Sequence, residues 1–392
     1  GIGLNRELSK DYRKLVDKVN ACKVTVLSID TPSGVECDTG RVMGSAIKAT
    51  YTITFLGHKF GLLTNHGPDY TGKIIMHQLA FKKIMNKKHD NGWLVEDNSI
   101  RNVLDVRAKN SHKGKYGTVL IIGGAEGMIG APILSGRSAL KIGAGKVILG
   151  MMNTHCKLDA NQPDIMIDEA NTTLNDLRDN TVIVIGPGLS STDESKNLLR
   201  KCIASNARLV IDAGGLTLIG ESSELHLMLQ ERKAETVLTP HPGEAAILLK
   251  STNDKIQNDR LHAAIQIAKL FNCLCILKGC GTVISDSSGN WHVNVSGNPG
   301  MATAGMGDVL AGFLGGLLAQ GANTMETALS ATRLHGLAAE RLAEKCQGYL
   351  GITASEIINP ARTLLNEFKN SSLVGKKLAA KDAGYRFKSQ YS

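Results

Sequence analysis

The residues best suited to chemistry stand together in Asn298-Pro299-Gly300-Met301-Ala302-Thr303-Ala304-Gly305-Met306-Gly307-Asp308. Small side chains leave several backbone N–H groups open to a ligand, and an apolar helix begins at once. The amides and the helix dipole make an anion hole. Negative charge placed there gains typically ~0.3–1 kcal/mol, and up to ~2 when partly buried. Asp308 falls in the first turn, beside the anion and aimed at a substrate hydroxyl. As a general base it could contribute on the order of 10²–10⁴ in rate. A first-turn acid is often only a cap, but the glycine run in front of this one favours the base.

Three smaller groups fit the same chemistry. Lys278-Gly279-Cys280-Gly281-Thr282 ends a strand with a lysine and two glycines, suited to nucleotide phosphates. Thr239-Pro240-His241-Pro242-Gly243-Glu244 holds a histidine between two prolines in a rigid, extended segment, placed either to bind substrate or as an ordinary loop histidine. The turn Gly123–Gly130 lies between a strand and a helix, where glycines let backbone approach a bulky ligand. It is not a dinucleotide fingerprint, because the next strand ends at Met151-Met152-Asn153 with no acid before Asp159. Nor does its spacing fit a P-loop.

These pieces need a scaffold that brings strand ends together. Alternating patterns predict strands at Lys23–Ile29, Thr50–Leu56 and Lys73–Met76, preceded by an amphipathic helix over Asn5–Asn20. Residues 86–111 lie in a lysine-rich connection with an Asp90-Asn91-Gly92 turn signal, and read as a linker. A second α/β pattern follows: strands at Thr118–Ile122, Lys146–Met151, Val182–Ile185, Leu209–Asp212, Val237–Thr239, Leu274–Lys278 and Thr282–Ser285, with helices at Ala131–Ile142, Met306–Ala319 and Thr324–Glu344. Helices alternating with apolar strands predict an α/β fold with a parallel sheet and ligands at the strands' C-terminal ends. Residues 369–392 form a basic segment of little apolar periodicity, read as a mobile tail.

With 392 residues, 42% of them hydrophobic and 21% charged, the chain has globular composition and room for two or three domains. Its 8 cysteines form no CxxC pair and complete no zinc spacing with histidine, which reads as a reducing, cytoplasmic compartment. No stretch reaches the ~18 apolar residues of a membrane span. Gly1-Ile2-Gly3-Leu4 reads like the middle of a loop, without a signal peptide or an initiator methionine. The net charge of +9 invites a nucleic-acid partner, tested by a gel shift at low salt. However, residues 82–115 carry nine Lys/Arg against four Asp/Glu, and residues 369–392 carry six against one. The remainder is close to neutral, so the basicity argues for solubility and against nucleic-acid or membrane partners. The 42 glycines are the informative excess, because many stand in turns that would cradle phosphates.

Taken in order, His112-Lys113-Gly114, Gly123–Gly130, Gly143-Ala144-Gly145, Gly186-Pro187-Gly188-Leu189, His241-Pro242-Gly243-Glu244, Lys278–Thr282 and Asn298–Asp308 resemble the NAD(P)H-hydrate dehydratases. The resemblance spans about residues 94–368 and implies a ribokinase-like domain over 112–368. Residues 1–85 are similar to the C-terminal half of NAD(P)H-hydrate epimerase, a Rossmann-like domain, through Gly1–Leu4, Asp30-Thr31-Pro32-Ser33-Gly34, Asp38-Thr39-Gly40 and Lys59. This order is that of the bacterial bifunctional repair enzymes.

The resemblance implies that ADP, with Mg2+, phosphorylates the added hydroxyl of the S hydrate of NADH or NADPH, after which phosphate leaves. It further implies that Ala131, Gly188, His241 and Asp308 contact the hydrated dinucleotide. Lys278, Gly279, Cys280, Gly281, Thr282 and Gly307 would line the nucleotide. Cys280 stands where the family often has a small, alanine-like residue, and Gly214 where it commonly repeats an aspartate, which weakens a second-acid role in Asp212–Leu216. In the first half, Asp30 matches the acid at the epimerase substrate and Ser33 a potassium-coordinating hydroxyl. The family's earlier potassium ligands would precede Gly1, so the chain as written is expected to be a poor epimerase. A homo-oligomer is also implied. A vitamin-precursor or sugar kinase of the same fold would use the same Asp308 and anion hole.

Overall fold

The computed structural model describes residues 4, 6–79, 92–104, 107–178 and 180–374, the last four as backbone alone. The expected N-terminal motif at Gly1–Gly3, the lysine-rich stretch 80–91 and residues 375–392 of the basic tail lie outside the described residues.

Two sheets carry the chain. The first is three-stranded and parallel, in the order β1 (Leu27–Ile29), β2 (Tyr51–Phe55), β3 (Lys73–His77). The helix before it is Lys10–Ala21, shorter than the pattern predicted, with Asp11 in its first turn. The strand expected from Lys23 begins only at Leu27, and Leu27 and Ile29 are exposed on it.

The second sheet has ten strands: β4 (Gly92–Leu94), β5 (Thr118–Gly123), β6 (Lys146–Met151), β7 (Met166–Glu169), β8 (Thr181–Ile185), β9 (Arg208–Ile211), β10 (Thr236–Leu238), β11 (Leu274–Leu277), β12 (Thr282–Ser285) and β13 (Trp291–Asn294). Their spatial order is β4-β13-β12-β11-β10-β9-β8-β5-β6-β7. All pairs are parallel except β11–β12 and β12–β13, which are antiparallel. The predicted all-parallel sheet is therefore mixed at one end. There the Gly279–Gly281 turn is short enough to return the chain directly, whereas a parallel crossover needs a dozen residues or more.

Strand alternation sends Val119 and Ile121 of β5 into one core and Leu120 and Ile122 into the other. Against the first face pack helices Gly130–Ile142, Met306–Ala319, Thr324–Cys346 and Ala354–Val374. Against the second pack Asp193–Ala204, Gly214–Glu221, Pro242–Leu248 and Arg260–Leu270. Burial on both faces explains the continuous apolar runs.

Two sequence expectations need correction. Residues 92–102, inside the stretch read as a linker, form edge strand β4 beside β13 and a short helix, Asn98–Asn102. Val95 and Ile100 are buried in the first core, a role that the mostly polar residues around them did not reveal. Residues 369–374, read as the start of a tail, continue the final helix Ala354–Val374. No helix among the described residues is long and apolar enough to cross a membrane.

Candidate active site

From β5 the chain runs to β6 and β7 on one side and returns through β8 to β9, β10 and β11 on the other. The C-terminal ends flanking such a reversal open a crevice. Gly123 ends β5, and Gly186, Asp212, Thr239 and Lys278 follow β8, β9, β10 and β11 directly. Neighbouring parallel strands thus deliver a glycine turn, an acid, a hydroxyl and an amine side by side.

At Gly186 (φ 127°) and Gly188 (φ 69°) the backbone is left-handed, and a Cβ on Gly186 would lie 1.7 Å from the Asp212 carbonyl oxygen. This close approach seats the Gly186–Gly188 turn on the end of β9. The Gly123–Gly130 turn docks on it in turn, since Ala125 N–H donates to Gly188 O at 2.8 Å. Ala131, expected at the dinucleotide, is the second residue of helix Gly130–Ile142, above this joint.

Asp308 lies in the first turn of Met306–Ala319, as the residue pattern predicts. Gly305 caps that helix with φ 88°, and the earliest helical amide bond is Val309 N–H to Gly305 O. The amides of Met306, Gly307 and Asp308 precede that bond, so they belong to the donors a helix start leaves for a ligand. Ser135 Oγ donates to Asp308 O at 2.7 Å and ties this turn to helix Gly130–Ile142.

The charges behind the helix start are concentrated. Lys278 Nζ lies 2.6 Å from Asp212 Oδ1 and 3.9 Å from Glu244 Oε2. Asp212 is 1% exposed and also accepts Thr239 Oγ1–H at 2.8 Å. A Cβ on Gly307 would meet Lys278 Nζ at 3.2 Å and Asp212 Oδ2 at 3.3 Å, so glycine lets the helix start close over the pair. Burial, reinforced by the Asp212 charge and opposed by Lys278, pushes the Asp308 carboxyl up to about 7. Burial also raises Glu244, against the pull of Lys278. Lys278 is raised: Asp212 and Glu244 outweigh the desolvation that would lower it.

His241 caps helix Pro242–Leu248. Its Nδ1 accepts from Gly243 N–H at 3.0 Å and Glu244 N–H at 3.2 Å, while Glu244 returns a bond to His241 N–H at 2.7 Å. The ring thereby holds Glu244 toward Lys278, with its Nε2 3.3 Å from Glu244 Oε1.

The structure thus brings together Asp308, Gly307, Lys278 and, through Glu244, His241. Gly279 and Cys280 are exposed beside Lys278, Gly281 is buried and Thr282 opens β12. Sequence reasoning left Asp212 and Glu244 without roles. The signals available were an acid directly after an apolar strand at Asp212, and a first-turn acid three residues after a histidine cap at Glu244.

Asp30 and Ser33 stand apart from this cluster, at the end of β1. Asp30 has φ 69° and is buried, with its carboxylate paired to Lys59 and accepting from Thr54 Oγ1 at 3.2 Å and Phe55 N–H at 3.3 Å. A left-handed acid anchored this firmly marks a site worth testing. Ser33 is exposed, and its carbonyl accepts Ile47 N–H at 2.9 Å.

The family model described as NAD(P)H-hydrate dehydratase matches residues 119–361, and the model of the YjeF-related protein N-terminus matches residues 1–61. The second match gives no support to the expectation of a poor epimerase. A bifunctional NAD(P)H-hydrate repair enzyme of Coxiella burnetii is 37% identical over 351 residues, which are 88% of this chain and 70% of the relative. Its counterpart in Escherichia coli is 33% identical over 88% of this chain and 66% of the relative. Among solved structures, an ADP/ATP-dependent NAD(P)H-hydrate dehydratase of Bacillus subtilis, co-crystallised with ATP and Mg2+, superposes with a TM-score of 0.61 at 26% identity. It covers 72% of this chain and all of the Bacillus chain. With a ribokinase-like sheet, a glycine-capped helix start carrying Asp308 and both family matches, the chain belongs to the NAD(P)H-hydrate dehydratase family, in the two-part form of the bifunctional NAD(P)H-hydrate repair enzymes.

Proposed function

We propose that this chain restores hydrated NADH and NADPH, using ADP as phosphoryl donor at the site around Asp308. Asp308 takes the proton of the ring hydroxyl as that oxygen attacks the terminal phosphorus, and the P–O bond to the nucleotide breaks. The new phosphate ester then departs as orthophosphate, with loss of a ring proton, and the double bond returns. Hydroxide is a poor leaving group and phosphate a good one, which is why a kinase-like anion hole suits a lyase. Positioning and charge stabilisation dominate phosphoryl transfer, and the amides of Met306 and Gly307 with the Lys278 ammonium supply both. Lys278, Gly279, Cys280, Gly281, Thr282 and Gly307 line the nucleotide; Ala131, Gly188 and His241 face the dinucleotide.

Three carboxyl groups, Asp212, Glu244 and Asp308, surround one ammonium. A polyanionic nucleotide needs a cation there, and Mg2+ fits, since it is commonly held by one or two carboxylates together with phosphates. Glu244 and Asp212 are the residues to hold it, and it would neutralise charge on the phosphates. In the N-terminal half, Asp30 beside Lys59 moves a proton on the hydrated ring to interconvert R and S forms, with Ser33 giving one oxygen to K+. The enzyme would act in the cytoplasm as a homo-oligomer.

The observation that carries the reading is a carboxyl poised near neutrality at an amide-rich helix start. The test is to incubate the chain with hydrated NADH, ADP and Mg2+ and follow the reduced-nicotinamide absorbance. Absorbance should recover with release of orthophosphate, and Asp308→Ala should slow recovery about 10²- to 10⁴-fold. No recovery, or undiminished recovery in Asp308→Ala, overturns the reading. A stable phosphorylated product without orthophosphate would identify a kinase instead.

A further inference from the structure

The loop Lys278–Thr282 is held from behind, and part of what holds it comes from the other half of the chain. Arg260 is 2% exposed, and among the described residues no carboxylate is a hydrogen-bond partner of it. Its Nη2 donates to the carbonyls of Leu277, Lys278 and Gly281 at 3.3, 3.2 and 3.4 Å. Its Nη1 donates to Gln257 Oε1 at 2.8 Å, and its Nε to Thr64 Oγ1 at 3.1 Å. Thr64 is fully buried, and its hydroxyl donates to Cys280 O at 3.1 Å. Asn65 N–H donates to the same carbonyl at 3.3 Å.

Contact is close on this side. Gly281 has φ 65°, and a Cβ there would meet Leu63 O at 2.2 Å and Thr64 Cα at 2.7 Å. A Cβ on Gly279, at φ 139°, would meet Arg260 Nη1 at 2.9 Å. The two glycines are therefore required by what lies behind the loop as well as by what lies in front.

In a trans peptide the N–H points opposite to the C=O of the same unit. Drawing the carbonyls of Lys278 and Cys280 toward Arg260 and Thr64 turns the N–H groups of Gly279 and Gly281 outward, as an anion-binding concavity requires. The guanidinium beneath adds positive charge, and among the described residues it makes no ion pair with a carboxylate. Its value is lowered to about 10 by burial, which still leaves it charged at neutral pH.

We infer that Arg260 and Thr64 are positioning residues for the nucleotide, so that the N-terminal half forms the rear wall of the dehydratase's nucleotide site. This rests on the reading that Lys278–Thr282 lines the nucleotide. The segment from Lys59 to Asn65 is the connecting piece: Lys59 pairs with Asp30, the 3-10 turn Phe60–Leu62 follows, and Thr64 and Asn65 grip the loop.

The test compares the chain with Thr64→Val, which keeps the shape and loses the hydroxyl, and Thr64→Ser, which keeps the hydroxyl. Mg2+–ADP binding is titrated calorimetrically, and steady-state rates are measured with hydrated NADH. Thr64→Val should raise both the Kd and the KM for ADP about five- to tenfold, as loss of a hydrogen bond or two does. The KM for the hydrate and kcat should stay within about twofold, and Thr64→Ser should restore ADP binding. Arg260→Lys, which keeps charge without the fork, should show the same nucleotide-side loss even if Thr64→Val fails to fold. Folded Thr64→Val and Arg260→Lys variants with parental ADP affinity overturn the inference alone. A parent chain that binds no Mg2+–ADP overturns the nucleotide reading itself, and the inference with it.

Discussion

On the proposed reading Asp308 is the base, and its ionisation would set the pH behaviour of the reaction. A carboxyl held at about 7 is half ionised near neutrality, and only the ionised form can accept a proton. The kcat/KM of dehydration should therefore rise about tenfold per pH unit below that value and level off above it. A profile flat between acid and alkaline limits would remove Asp308 as the base. The same shift bears on stability. The folded value lies above the ordinary 3.8, so the unfolded chain gives up this proton first as pH rises. The native state loses stability on that account between about 4 and 7. Asp308→Asn should accordingly melt higher than the parent at pH 8 and no higher at pH 4, measured by differential scanning calorimetry. Equal melting temperatures at pH 8 would mean the carboxyl is not strained by its surroundings.

At the scale of elements, two helices fix where Asp308 points. Met306–Ala319 lies against Gly130–Ile142 so closely that a Cβ on Gly312 would meet Ser138 Oγ at 1.9 Å and Ser135 O at 2.2 Å. The backbone oxygen cannot swing away as a side chain could, so the helices would have to separate. Gly312→Ala should cost about 1–3 kcal/mol, read as a lower urea midpoint at unchanged slope. Separation would also pull the Ser135 hydroxyl from Asp308 O, so kcat should fall with stability. An alanine variant of parental stability and rate would show that the contact is not needed.

For the whole molecule, the contact between halves adds to stability. Phe60, in the N-terminal half, packs edge-on to Trp291 of β13 with ring centres 5.3 Å apart. Both rings are buried, and a Cβ on Gly92 of β4 would strike the same indole at 2.1 Å. Phe60→Ala should cost about 3–5 kcal/mol, as buried phenylalanine truncations do. The measurement is equilibrium urea unfolding followed by tryptophan fluorescence. An unchanged midpoint would mean that the halves meet without mutual support.

Local order in this chain was legible from residues that are neighbours in sequence. The helix Met306–Ala319 has the bounds its glycine cap and apolar run predicted, and β6 has those of its apolar run. The strand-end glycines were legible for the same reason, because a left-handed turn is demanded by residues only a few positions apart. So was the place of Asp308 in the first turn of Met306–Ala319. The resemblance supplied the order of the two halves. What only the tertiary structure decided are contacts whose partners lie far apart along the chain. Lys278 and Asp212 are 66 positions apart, and they meet because β9, β10 and β11 are adjacent. Glu244 joins them through a histidine cap, while β4 finds its place only beside β13. Thr64 lies 217 positions from Gly281, and no local pattern records the pairing of its hydroxyl with the loop. Backbone preference and side-chain periodicity act over a few residues, so they specify elements. Strand order and the docking of one half on the other bring distant side chains into contact, and only then does a carboxyl gain the burial and charged neighbours that shift its ionisation.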